Sequence, residues 1–165
     1  MSLSLDARMA EARLSSRGIA LPKAAPPAAN YMPYTMSKNQ LFISGQLPMQ
    51  DGQIAVKGQL GHSVTVEQGA HAAQICAINI LAQAKSALGD LGRIKQVIKI
   101  NGFVSSTPDF HEQHLVINGA SDFLAEILGD CGIHARAAVG MASLPFNASV
   151  EIDAIIEFEE YGTGR

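Results

Sequence analysis

Toward its C-terminal end the chain alternates without interruption. Val150, Ile152, Ala154, Ile156 and Phe158 fall on one side, and Glu151, Asp153, Ile155 and Glu157 on the other. Period two predicts a strand with one covered and one open face. In the strand expected just upstream, Arg136 shares a face with Ala138, Gly140 and Ala142, small residues where a solvated face ordinarily carries Lys, Glu or Thr. Elsewhere the period changes to three and four. Ala73, Ala77, Ile80, Leu81, Ala84 and Leu88 mark one helix, opened by a Thr65-x-x-Gln68 capping box and closed by Gly89. Thr107-Pro108-Asp109 offers an N-cap followed by Pro at the first helical position, which predicts a second helix over 110–128 with Gly129 as its stop. Between the helices, residues 94–105 read as a buried strand with Ile98, Ile100 and Val104 on one face.

Shorter signals complete the plan. Residues 40–47 and 54–56 read as strands joined through Asp51-Gly52, which supplies the positive φ of a tight hairpin. Residues 1–18 read as an amphipathic helix, an appendage with Leu5, Met9 and Leu14 on one side and Gly18 as its stop. Pro22, Pro26, Pro27 and Pro33 then fix φ and remove backbone donors, so this connector is expected to run extended. The order β, β, α, β, α, β, β gives two helices to one sheet, an α+β class. A single domain over 28–160 is expected, preceded by the helix and connector over 1–27.

Composition narrows the function. A chain of 165 residues can bury its own core without staples. Charged residues make up 16%, against roughly 25% in an average soluble domain, which predicts a surface partly covered by other subunits. Twelve Lys and Arg face fifteen Asp and Glu with no block of like charge, so the footprint of a nucleic-acid binder is missing. No apolar run reaches the ~20 residues that span a bilayer, and the N-terminus lacks the apolar region of a signal peptide; a cytoplasmic protein is expected. Cys76 and Cys131 have no C-x-x-C spacing and read as free thiols. His111 and His114 in His111-Glu112-Gln113-His114 stand one residue short of H-E-x-x-H, so a surface of the helix is expected there rather than a metal site.

With both helices assigned to the other face, the small-residue face around Arg136 is expected to meet an identical subunit. A guanidinium at such a boundary needs partners, either a neighbouring carboxylate or a substrate carboxylate. Glu151 reads either as a residue of the solvated face or as the group that handles an attacking water. If the last two strands form a simple hairpin turning near Pro145, Glu151 lies roughly 13 Å along the sheet from Arg136, at ~3.3 Å per residue. That is too far for an ion pair, and leaves room for a small substrate and a water.

Ala135-Arg136 with its small-residue run, Leu144-Pro145, and Val150-Glu151-Ile152-Asp153-Ala154-Ile155 together resemble the C-terminal signature of the Rid/YjgF family of imine and enamine deaminases. Phe42-Ile43-Ser44-Gly45-Gln46-Leu47-Pro48 resembles the family's second motif, and Val116-Ile117-Asn118-Gly119-Ala120-Ser121 extends the likeness, which covers roughly residues 28–158. The N-terminal helix and longer lead-in resemble a less-characterised branch. The resemblance implies a chorismate-mutase-like fold, a mixed sheet with two helices on one face, three copies of which close a central barrel with clefts between subunits. It further implies that Arg136 binds a substrate carboxylate bidentately, that Glu151 positions the hydrolytic water and shuttles its proton, and that Ser44, Gly45 and Asn118 line the pocket. Tyr31, thirteen residues before Ser44, stands where the family's cleft-closing tyrosine is expected, with Tyr34 as a competitor. Taken alone, Ser44-Gly45 also reads as a strand bulge, Asn118 as a helix residue satisfying backbone and Tyr31 as a packing residue. Ala138 occupies the place of a cysteine in well-studied members, a departure that bears on substrate preference.

The activity implied is hydrolysis of small 2-imino acids, or of the 2-aminoacrylate enamine that tautomerises to them, to 2-keto acids and ammonium. No metal or organic cofactor is called for, because the imine is already electrophilic. The alternative is a trimer that binds a 2-keto acid or similar metabolite without turnover. The family's older endoribonuclease label fits poorly with the charge balance, and a metalloenzyme built on His111 and His114 is remoter still.

Overall fold

The alternating segment forms a strand, Val150–Phe158, whose first and every second residue are buried. It is described here in a computed structural model covering residues 7–26 and 29–160. Leu5, Pro27 and the expected boundary between 27 and 28 lie outside the described residues. In chain order the elements are α1 (Ala10–Ser16), β1 (Tyr34–Ser37), β2 (Gln40–Gln46), β3 (Met49–Gln50), β4 (Gln53–Ile54), α2 (Val66–Leu88), β5 (Ile94–Ser105), α3 (Gln113–Leu128), β6 (Ala135–Met141) and β7 (Val150–Phe158).

Five strands make one mixed sheet in the order β1-β2-β7-β5-β6. β7 runs antiparallel to both neighbours, and β6 runs parallel to β5. A parallel pair needs a long crossover, and α3 supplies it. β6 and β7 are therefore not a hairpin: β7 passes to the far side of β5, which separates the two. α2 and α3 cover one face, where Leu41, Ile43, Ile100, Val104, Ile152 and Ile156 form part of the core.

The long elements follow their sequence signals closely. Thr65 caps α2 through a complete capping box, and Gly89 ends it at φ +79°, a left-handed conformation that glycine adopts without Cβ strain. β5 has the expected bounds but not the expected facing. Two register shifts against β7, after Ile94 and after Val97, insert extra residues, so Ile94, Val97 and Ile100 are buried and Ile98 is only half-buried. α3 starts at Gln113, three residues late, because Thr107 to Phe110 closes a turn through Phe110 N–H to Thr107 O at 3.1 Å. His111 precedes the helix, so it does not share a helical face with His114.

Two further differences concern the N-terminal part. Residues 40–47 and 54–56 do not pair. β2 pairs with β1, which the sequence reading missed, through a two-residue turn with Lys38 at φ +52°, while Asp51 (φ +50°) and Gly52 (φ +77°) close the separate β3-β4 ribbon. The helix at the start is part of the core rather than an appendage. Ala7, Ala10 and Leu14 are buried in it, whereas Met9 is 52% exposed. Arg13 Nη1 donates to Ile127 O at 3.1 Å, and Glu11 pairs with Lys85 of α2 at 3.0 Å.

The residues that share the side of Arg136 also need reassignment. Arg136, Ala138 and Gly140 lie in register with Ile100, Gly102 and Val104 of β5, the side covered by helices. Space on that side is limited: a Cβ on Gly102 of β5 would meet Ile117 of α3, and one on Gly140 would lie 2.7 Å from Ser106 Oγ and 2.9 Å from Gln113 Nε2. Ala142 lies beyond the strand. The open face instead carries Phe42, Val139 and Met141, all exposed, with Phe103 and Ile155 half-buried beside them. No helix among the described residues is long and apolar enough to cross a membrane.

The closest point of the helix layer supplies a test. A Cβ on Gly119 would lie 2.0 Å from the carbonyl oxygen of Ala70 in α2, and helix backbone has no free rotor to turn aside. Gly119→Ala is expected to lower stability by about 1–3 kcal/mol, read as a drop in the urea midpoint at unchanged slope.

Candidate functional site

The site residues expected from the sequence fall into two groups. The first is built on a bulge in β2. Ile43 pairs with Ala154 and Gln46 with Ile152, so Ser44 and Gly45 together oppose the single residue Asp153. Ser44 Oγ donates to Met32 O at 2.7 Å and its N–H to Pro33 O at 3.0 Å, which ties the proline-rich connector to the sheet. Tyr31, 47% exposed on that connector, lines a small cavity of about 70 Å³ with Gly45, Gln46 and Asn79. Asn79 holds the cavity floor by donating to Leu47 O and Met49 O, both at 3.0 Å. Tyr34 instead lies in β1 opposite Ile43 and packs against the core. Of the two candidates, Tyr31 is therefore the one beside Gly45.

Glu151 rests against the bulge. A Cβ on Gly45 would lie 2.1 Å from Glu151 Oε1, so the carboxylate occupies space that only glycine leaves open. The strand-bulge reading of Ser44-Gly45 holds, and the bulge is what forms the notch. Burial raises the Glu151 pKa above the ordinary carboxylate value, and the charge of Asp153 on the same side of β7 adds to the rise. The thiol of Cys76 is raised mainly by its own complete burial and further by Glu151.

The second group lies on α3 and β6. Arg136 Nη1 donates to Ser121 Oγ at 3.0 Å and Nη2 to His114 O at 3.1 Å. Asn118, Ser121, Asp122, His134 and Arg136 line one open cleft of about 340 Å³. Among the described residues no ion pair involves Arg136: those present join Arg17 to Glu126, Lys85 to Glu11 and Lys95 to Glu157. Neutral acceptors orient the guanidinium. Ala138 is half-buried against the core, two residues further along β6.

These two groups do not meet within one chain. Arg136 is in register with Ile100 and, across β5, with Ala154, whereas Glu151 is in register with Phe103 and Val139. They stand two strands and three residues apart, roughly 14 Å at ~4.8 Å per strand and ~3.3 Å per residue. Glu151 also alternates away from the helix layer while Arg136 points into it. The hairpin estimate reached a similar length by the wrong path. Sequence reasoning missed Ser121 and His134 as parts of the Arg136 group. The signals were present: Asn118-x-x-Ser121 on a helix, and His134 two residues before the arginine. Among the described residues no group of three His, Cys, Asp or Glu is placed to hold a metal ion.

Comparison with known proteins adds the following. A family model described as "YjgF/chorismate_mutase-like, putative endoribonuclease" matches residues 11–158. Protein TCP17 of Trypanosoma cruzi is 51% identical over 158 residues, covering 95% of this chain and 98% of that protein. The crystal structure of Atu1372 from Agrobacterium tumefaciens, a protein of unknown function, is 59% identical with a TM-score of 0.86 and covers 95% of both chains. E. coli TdcF, solved with bound serine, shares the fold at 23% identity and a TM-score of 0.59, covering 84% of this chain and 96% of its own.

Two measurements test the Glu151 notch. A carboxyl whose pKa is raised on folding leaves stability untouched below its unfolded value and reduces it as pH rises through the folded value. Glu151→Gln is therefore expected to raise Tm by about 1–3 °C at pH 7.5, with the gain shrinking toward pH 4. For Gly45→Ala the collision is with the far end of a flexible side chain, so the fold should survive while the carboxylate is displaced. A fall in the Glu151 pKa, read by carbon-detected NMR titration, is the expected sign.

Proposed function

The chain belongs to the YjgF/chorismate-mutase-like family, and on that premise we propose that it hydrolyses small 2-imino acids and the 2-aminoacrylate enamine that tautomerises to them. The products are a 2-keto acid and ammonium. The observation that carries this reading is the pair of incomplete half-sites. One presents a guanidinium held by neutral acceptors. The other presents a half-buried carboxylate of raised pKa. Each lacks the opposite wall, and a neighbouring copy of the chain supplies it when the Arg136 cleft of one subunit faces the Glu151 notch of the next. The open sheet face, with Phe42, Val139 and Met141 exposed, supports packing against identical subunits, and a homotrimer closing a central barrel is the assembly proposed.

In this cleft Arg136 binds the substrate carboxylate. Two of its five N–H donors are engaged by Ser121 and His114, and the remaining three suit a bidentate contact. Asn118 and the backbone beside Ala138 line the same wall, and Tyr31 with Ser44 and Gly45 lines the other. Glu151 aligns a water on C2 of the iminium and accepts its proton as the C–O bond forms, a role that a raised pKa favours. The resulting carbinolamine gains that proton on nitrogen, the C–N bond breaks as the keto group forms, and Glu151 takes the hydroxyl proton and passes it to the departing ammonia, which leaves as ammonium. The iminium carbon is electrophilic without a cofactor. Ala138 offers this wall its backbone and no thiol, a departure that bears on substrate preference.

A second reading, a metabolite-binding trimer without turnover, is favoured by the serine found in TdcF. Nuclease action draws no support from a chain with fifteen acidic and twelve basic residues.

A coupled assay separates these readings. When a serine dehydratase generates 2-aminoacrylate in situ, the protein is expected to accelerate ketoacid release. Glu151→Gln should reduce kcat about 100-fold or more while pyruvate binding persists, and Arg136→Ala should abolish both. Binding without acceleration would select the non-catalytic reading. A monomer by mass measurement in solution would remove the proposed cleft.

A further inference from the structure

His134 lies between the turn Gly129–Gly132 and β6, and its two ring nitrogens have unlike partners. Nδ1 is 2.6 Å from Gly132 O. A carbonyl only accepts, so Nδ1 carries the proton and Nε2 carries the lone pair. Nε2 is 2.9 Å from Ser121 Oγ, so the serine hydroxyl donates to it. The serine oxygen is then left to accept from Arg136 Nη1 at 3.0 Å. One backbone carbonyl thus sets the polarity of a chain running from Arg136 through Ser121 and His134 to Gly132. Burial lowers the His134 pKa, the bond to Gly132 opposes that, and the Arg136 charge adds to it; the net lowering keeps Nε2 an acceptor at neutral pH.

We infer that His134 is a positioning residue for the carboxylate clamp, acting on Arg136 through the Ser121 hydroxyl. This rests on Arg136 being the carboxylate binder proposed above. A serine hydroxyl free to rotate can donate to any nearby acceptor and offers the guanidinium no fixed lone pair. Nε2 of His134 takes its proton and fixes the rotor. Arg136 then has two anchors, Ser121 Oγ and His114 O, which define the plane of its fork. The anchors are neutral, so the orientation is achieved without an ion pair that a substrate carboxylate would have to displace. Asp122 lines the same cleft, and the relay gives Arg136 a neutral alternative to it. His134 touches neither substrate nor water in this scheme.

Two substitutions at one position divide the chain of bonds. In His134→Gln an amide oxygen at the place of Nε2 still accepts from Ser121. In His134→Asn the amide nitrogen still donates to Gly132 but nothing accepts from Ser121. The probe is pyruvate, titrated calorimetrically against the full chain, alongside KM and kcat with 2-aminoacrylate. His134→Asn and Ser121→Ala are expected to weaken pyruvate binding and raise KM about five- to tenfold, the loss of one hydrogen bond, with kcat within about twofold. His134→Gln should stay within about twofold of the parent in both. Equal affinity in His134→Asn and the parent, or equal loss in Asn and Gln, would overturn the proposal.

Nitrogen-15 NMR of the unliganded protein keeps the outcome readable if no carboxylate binds. The parent should show the Nδ1–H tautomer at His134. The Arg136 side-chain signals should move or broaden in the Asn variant and hold in the Gln variant. An Nε2–H tautomer, or unmoved Arg136 signals, would refute the relay. Absence of pyruvate binding with those signals behaving as expected would count only against the proposed function.

Discussion

The simultaneous pairing of β7 with β2 and β5 is the constraint on which the rest of the molecule depends. β7 alternates without fault, its buried residues running from Val150 to Phe158, so its register cannot slip by one without turning every core residue outward. Its neighbours absorb the mismatch instead. β2 carries one irregularity against it and β5 carries two. The irregularity in β2 is the Ser44-Gly45 bulge, and the notch it opens is the space that the Glu151 carboxylate occupies. A packing requirement and a candidate catalytic position thus have one geometric origin.

The same central strand keeps the charged side chains apart. By placing β5 between itself and β6, it sends Arg136 to the sheet edge beside α3 and Glu151 to the opposite face. The two are also treated in opposite ways electrostatically. Glu151 is partly desolvated and faces a like charge at Asp153, both of which raise its affinity for a proton. Arg136 is oriented by a hydroxyl and a carbonyl rather than by an anion. A cation and a partly desolvated carboxylate would pair with each other if they met in one chain. Separation preserves both.

The N-terminal segment contributes through backbone. α1 buries Ala10 and Leu14 against the ends of α2 and α3, and the proline-rich connector, lacking donors at its prolines, is held by what others offer it. Ser44 bonds Met32 O, and Gln83 Nε2 reaches Ala25 O at 2.8 Å. These contacts bring Tyr31 alongside Gly45.

Local patterning by itself determined the extent of the long elements. Period two in residues 150–158, the capping box at Thr65 and the glycine stops at Gly89 and Gly129 all act over a few residues, and the structure follows each of them. The likeness of the Arg136, Glu151 and Ser44-Gly45 motifs likewise identified the family and nominated the site. Tertiary structure decided what depends on partners distant in the chain. Strand order placed β6 beside β5 rather than β7, bulges turned Val97 inward in place of Ile98, and the register of β6 on β5 turned Arg136 toward the side that α3 covers. The direction of a hydrogen bond was equally beyond local reading, since the proton of Ser121 follows from a carbonyl at Gly132 on the other side of a histidine ring. Periodicity reports which side of an element is apolar; what covers that side, and which lone pair meets which proton, is fixed only when the elements close on one another.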